Sequence, residues 1–159
     1  MKIAIVMGSK SDYPVVERAE AVIREFGVDY ETRIISAHRT PRTAEEFALK
    51  AEENGIEVII AAAGKAAHLG GVLAAYTAIP VIGLPIKSST LDGLDSLLSI
   101  VQMPKGVPVA TVAIDSAENA GLLAVQILSV KYPELREKMK KYKKKMEEDI
   151  IEQDKGLKR

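Results

Sequence analysis

Residues 57–71 read Glu57-Val58-Ile59-Ile60-Ala61-Ala62-Ala63-Gly64-Lys65-Ala66-Ala67-His68-Leu69-Gly70-Gly71. The run from Val58 to Ala63 holds no polar residue, so an extended segment here buries both of its faces, as a strand does in a parallel sheet covered by helices. Helical period resumes after a short turn, which makes the stretch one β-to-α step of a repeated βα unit.

The same alternation continues in both directions. It predicts strands at about residues 2–7, 29–35, 57–62, 80–84 and 109–114, and helices at about 12–26, 41–54, 67–76, 93–101 and 117–130. Thr40 before Pro41 fits an N-cap followed by proline in the first turn, and Gly27 and Gly55 stand where helices end. Right-handed crossovers then favour a three-layer, doubly wound, parallel five-stranded α/β sheet of order 2-1-3-4-5, flavodoxin-like. In that order the loops after strands one, two and three meet at the switch point. They hold Ser9, His38 and His68.

At 159 residues and 47% hydrophobic, the chain suits a single domain, residues 1–159, with an α/β core at 1–130 and a helical extension at 131–159. Lys plus Arg equals Asp plus Glu at 22 each, which gives no overall field for nucleic acid or an anionic membrane. Cysteine is absent, which excludes disulfides and thiolate chemistry. The apolar start Met1-Lys2-Ile3-Ala4-Ile5-Val6-Met7 meets Gly8 too soon for a signal core or a membrane span, so a cytoplasmic protein is expected. After Tyr132-Pro133 the extension is strongly charged, with Lys143 and Glu147, and Lys144 and Glu148, spaced for ion pairs. It reads as a solvated helix, or as an arm packing on a neighbouring subunit through Leu135, Met139, Tyr142 and Met146.

Histidine titrates nearest neutrality, and both histidines fall at the sheet edge where open α/β sheets bind ligands. In Gly8-Ser9-Lys10-Ser11-Asp12 the backbone amides of a starting helix suit a phosphate, although Ser11 or Asp12 could simply cap that helix. Asp12 would repel phosphate and is better suited to ribose hydroxyls. Arg39 offers a planar fork to an anion, worth roughly 1.5–3 kcal/mol per charge-assisted bond. As a surface salt bridge it would contribute at most about 1 kcal/mol. The Ala- and Gly-rich residues 61–71 allow either close ligand approach or tight helix packing. His68 could bond the ligand or hold its loop together. Two histidines about thirty residues apart, with no acidic cluster, form no recognisable metal site, and there is no GxGxxG or P-loop for a dinucleotide or triphosphate.

Four blocks in order, Met7 to Asp12, Ser36 to Pro41, Ala66 to Leu69, and Asp95 to Pro104, closely resemble the N5-carboxyaminoimidazole ribonucleotide mutase family of purine biosynthesis over about residues 1–130. The resemblance implies a cofactor-free isomerisation that moves a carboxyl group from the exocyclic N5 to C4 of the imidazole. His38 is then the general acid/base, and Ser9, Asp12 and Arg39 contact the substrate. Ser11, Ser36, Gly64, Ala67, His68 and Leu69 complete the expected binding set. It further implies a homo-octamer in which Gln102-Met103-Pro104 serves a neighbour's pocket. The chain departs from the family loop at Lys65 and Gly70, where glycine and proline are usual, and residues 113–120 are more acidic than the usual version. The alternatives are direct carboxylation of aminoimidazole ribonucleotide, a flavodoxin-like flavin or nucleotide carrier, and a purely structural oligomer. Absence of Trp argues against a flavin sandwich.

Overall fold

β1 (Lys2–Met7) runs between β2 (Asp29–Ile34) and β3 (Val58–Gly64), with β4 (Val81–Ile86) and β5 (Ala110–Thr111) continuing beyond β3. The order is β2-β1-β3-β4-β5 and every pairing is parallel, which is the flavodoxin-like arrangement. This computed structural model describes residues 1–157, so the last two residues of the expected extension lie outside the described residues.

Strand alternation decides which side chains each face receives. Ile3, Ile5 and Met7 of β1, Val58, Ile60 and Ala62 of β3, and Ile82, Leu84 and Ile86 of β4 share one core cluster. Against it lie α1 (Tyr13–Glu25), α5 (Ala117–Leu128) and the first turns of α6 (Pro133–Leu157). The opposite face carries smaller residues, Ala4, Val6, Ala61 and Ala63, under α2 (Pro41–Leu49), α3 (Leu69–Tyr76) and α4 (Leu94–Val101). No described helix is long and apolar enough to cross a membrane.

Several boundaries differ from the sequence expectation, each for a local reason. β4 runs on to Ile86, through Pro85, while β5 shrinks from the expected 109–114 to Ala110–Thr111. Pro85 turns its peptide edge toward β5, since its carbonyl accepts from the Asp115 amide. Lacking an N–H on that side, it ends the β4–β5 ladder while pairing with Ala63 of β3 continues. α2 stops at Leu49 instead of Asn54, and turns carry the chain to Gly55. Gly27 and Gly55 do take left-handed φ values of 72° and 73°. At each, the following amide bonds a carbonyl five residues back, Val28 to Ile23 and Ile56 to Ala51, which closes the turn. Thr40 does not cap α2. Its hydroxyl instead lies 3.0 Å from both the amide and the carbonyl of Ser36, folding the β2–α2 loop on itself.

The charged helix α6 is anchored at its start. Leu135 is fully buried and Met139 nearly so, and the Tyr142 ring sits 5.8 Å from that of Phe26. Burying one leucine contributes about 1.5–3 kcal/mol. Lys138 Nζ donates to the Phe26 carbonyl at 2.6 Å, while Lys131 and Tyr132 both bond the Glu57 carboxylate. Of the expected apolar stripe, only Met146 faces solvent, followed by exposed Ile150 and Ile151. Lys144 pairs with Glu148 as expected. The Lys143–Glu147 pair does not close, and Lys145 pairs with Asp149 at 3.0 Å instead.

Gly83 marks the tightest approach of α4 to the sheet, where an added Cβ would stand 2.3 Å from Ile100 Cγ2 and 3.1 Å from Val109 Cγ1. Gly83→Ala is therefore expected to destabilise the fold by about 1–3 kcal/mol through overpacking. A lower urea midpoint at unchanged slope would show it, and an unchanged midpoint would contradict this packing.

Candidate active site

The loops following β1, β2, β3 and β4 open onto a cavity of about 590 Å³. Ser9, Ser11, Asp12, Ser36, His38, Arg39, Gly64 and Leu69 all line it, so sequence reasoning brought eight of its ten candidates to one wall or another. His68, expected to bind the ligand, does not line the cavity; it stands behind His38, with which it shares a hydrogen bond. Ala67 does not line it; 1% exposed, it packs in the core behind the β3–α3 loop. Sequence reasoning missed Lys65 as a wall residue, and also Lys87, Ser88 and Ser89 after β4. The available signal was Ile86-Lys87-Ser88-Ser89-Thr90 at the same sheet edge, obscured because Pro85 made the fourth strand look shorter.

The β1 loop is tied to itself before any ligand enters. Ser9 Oγ accepts from the Ser11 amide at 3.3 Å and lies 2.9 Å from Ser11 Oγ, which is also 3.2 Å from Asp12 Oδ1. Ser9 therefore caps a one-turn 3-10 helix, Lys10–Asp12, that the periodicity did not reveal. Neither Ser11 nor Asp12 caps α1 through its side chain. Burial pushes the Asp12 carboxyl above its ordinary range; the Ser11 hydroxyl, a backbone bond at Ser9 and the Arg39 charge pull it partly back.

Arg39 bridges two loops. Its Nη2 donates to the Gly8 carbonyl at 2.9 Å and its Nε to Ser36 Oγ at 3.4 Å, while its backbone amide also donates to Ser36 Oγ. It closes no salt bridge among the described residues, and the rest of its donor fork remains open to an anion.

The two histidines meet. His38 Nε2 lies 2.9 Å from His68 Nδ1, with ring centroids 5.0 Å apart at 75°. One proton sits between two nitrogens, so the tautomer of each ring dictates that of the other. The sequence offered no carboxylate to orient His38, and a second imidazole takes that part. Among the described residues, no group of three or more His, Cys, Asp or Glu is placed to hold a metal.

The family model described as AIR carboxylase matches residues 2–149. The chain belongs to the AIR carboxylase family. Within it, the N5-carboxyaminoimidazole ribonucleotide mutase of Pyrococcus horikoshii is 62% identical over 98% of this chain and 88% of its own length. That of Thermotoga maritima is 58% identical over 98% of this chain and 91% of its own. The crystal structure of Treponema denticola PurE superposes with a TM-score of 0.89 at 30% identity, covering 99% of both chains.

Because burial raises the Asp12 pKa in the folded state, ionising Asp12 opposes folding. This penalty is absent below the ordinary carboxylate range and complete above the raised value. Asp12→Asn should therefore raise the melting temperature at about pH 7 and change it little at about pH 3, where both forms are neutral. Calorimetry at the two pH values measures this; an equal effect at both would remove the ionisation argument.

Proposed function

We propose that this protein converts N5-carboxyaminoimidazole ribonucleotide to 4-carboxyaminoimidazole ribonucleotide in purine biosynthesis, with His38 as the group that moves the proton. The observation that carries the mechanism is an imidazole in the cavity wall, oriented by a second imidazole and flanked by an open guanidinium. The mutase names of the Pyrococcus horikoshii and Thermotoga maritima relatives support the substrate.

In this reading Ser9 and Arg39 take the phosphate, with Ser11 and Ser36 shaping their loops, and Asp12 accepts hydrogen bonds from ribose hydroxyls. Protonated His38 gives its proton to N5 as the N–C bond of the carbamate breaks and CO2 departs. C4 then attacks CO2, and the neutral imidazole removes the C4 proton. The cycle returns His38 to its starting state with no net proton consumed and no cofactor required. Gly64 and Leu69, with the small residues beside them, enclose the CO2 so that recapture is effectively intramolecular. Ala67 supports that loop from behind, and His68 keeps the His38 ring in place.

The same reading makes the enzyme a cytoplasmic homo-octamer. α4 leaves Leu94, Leu98 and Val101 exposed, an apolar stripe leading directly into Gln102-Met103-Pro104. Assembly would cover it.

His38→Asn is expected to lower kcat by about 10²–10⁴-fold. Because the phosphate and ribose contacts remain, product nucleotide should still bind within about threefold of wild type. Turnover of N5-carboxyaminoimidazole ribonucleotide without ATP, together with calorimetric binding, decides it. Loss of binding in proportion to rate would refute the division of roles, and efficient product formation from aminoimidazole ribonucleotide and physiological bicarbonate would favour the carboxylase instead.

A further inference from the structure

Lys65 stands in the cavity wall at the turn between β3 and α3, and its backbone is left-handed, with φ 57°. That region suits glycine and strains a side chain bearing a Cβ. Among the described residues, nothing compensates through the ammonium group: it closes no ion pair, and the bond recorded at Lys65 is to its backbone carbonyl, 3.5 Å from Ser99 Oγ. The other cations of the wall, Arg39 and Lys87, each already bond within the protein. Arg39 ties the β1 and β2 loops together, and Lys87 Nζ pairs with Asp92 at 2.8 Å.

The placement of these charges matches a ligand with two anionic ends. Ser9 and Arg39 stand on loops after β1 and β2, while Lys65 follows β3 on the other side of β1. Asp12, the carboxylate of this cavity, belongs to the first group and is held by Ser11. A phosphate seated on Arg39 leaves the second anionic group of the nucleotide without a cation unless Lys65 supplies it.

We propose that Lys65 is a substrate-binding residue that contacts the migrating carboxylate, on N5 before transfer and on C4 after it. The proposal rests on the mutase reading above. A carboxylate is present in both end states and is neutral CO2 between them, so the contact strengthens binding of both nucleotides and does not accelerate the chemical step. Lysine, a compact and flexible point charge, can follow the group between its two positions.

The test compares two nucleotides that differ only in the carboxylate. Dissociation constants of 4-carboxyaminoimidazole ribonucleotide and of aminoimidazole ribonucleotide are measured by calorimetry for wild type, Lys65→Met and Lys65→Gly. The glycine variant removes the charge while relieving the left-handed backbone, and so controls for folding. Both variants should bind the carboxylated nucleotide about tenfold more weakly, bind the other unchanged, and show a raised KM with kcat equal to or above that of wild type. Equal weakening of both nucleotides would place the cation at the phosphate, and no weakening of either would place it outside the site; both results overturn the proposal. Wild-type turnover is assayed separately: its failure would sink the mutase reading, while the ratio of the two affinities still decides whether Lys65 meets a carboxylate.

Discussion

The pairing of β1 with β2 on one side and β3 on the other is the constraint on which the site depends. Met7 is in register with Ile34 and with Ala62, so β1 and β2 end at one level and β3 ends two residues beyond it. The bonding continues one residue further, with the Gly8 amide donating to the Ala62 carbonyl and the Ile35 amide to that of Met7. The loops that follow thus start from fixed, adjacent points. Arg39 reaching Gly8, and His38 reaching His68, are consequences of that shared edge.

Strain is concentrated at the same edge. Among the described residues, the non-glycine positions with positive φ are Lys65, Leu91, Asp92 and Asp115, and they fall in the segments after β3, β4 and β5. Hydrogen bonds offset part of this: the Asp115 carboxylate accepts from the Lys87 amide at 2.8 Å, and Ser88 Oγ lies within 2.9 Å of both Asp95 oxygens. Strained backbone persists where surrounding contacts over-determine it, and a rigid sheet beneath the loops supplies those contacts. Small residues on the α3–α4 face, Ala61, Ala63 and Gly83, let the helices sit close enough to hold the loops down.

Sheet order and the convergence of three loops were legible because uninterrupted apolar runs report burial on both faces, as in Val58–Gly64. Pro85 hid the end of β4, since the sequence does not say which edge of a strand a proline presents. The Ser9 cap was hidden because a single 3-10 turn has too few residues to show a period. The His38–His68 bond lay beyond reach for a different reason: it joins residues thirty apart, through side-chain geometry that only the finished sheet defines. Lys65 was visible as a departure from the family loop, but its unpaired charge became apparent only with its neighbours in place.

Two histidines make up the whole imidazole complement of the chain, so their four ring nitrogens can be observed without overlap. Nitrogen-15 spectroscopy of the ring-labelled protein, with and without product nucleotide, examines the central claim directly. The account predicts that His38 Nε2 and His68 Nδ1 share one slowly exchanging proton, and that nucleotide binding shifts the His38 nitrogens most. Two rings with no proton held between them, and His38 unmoved by the nucleotide, would contradict it.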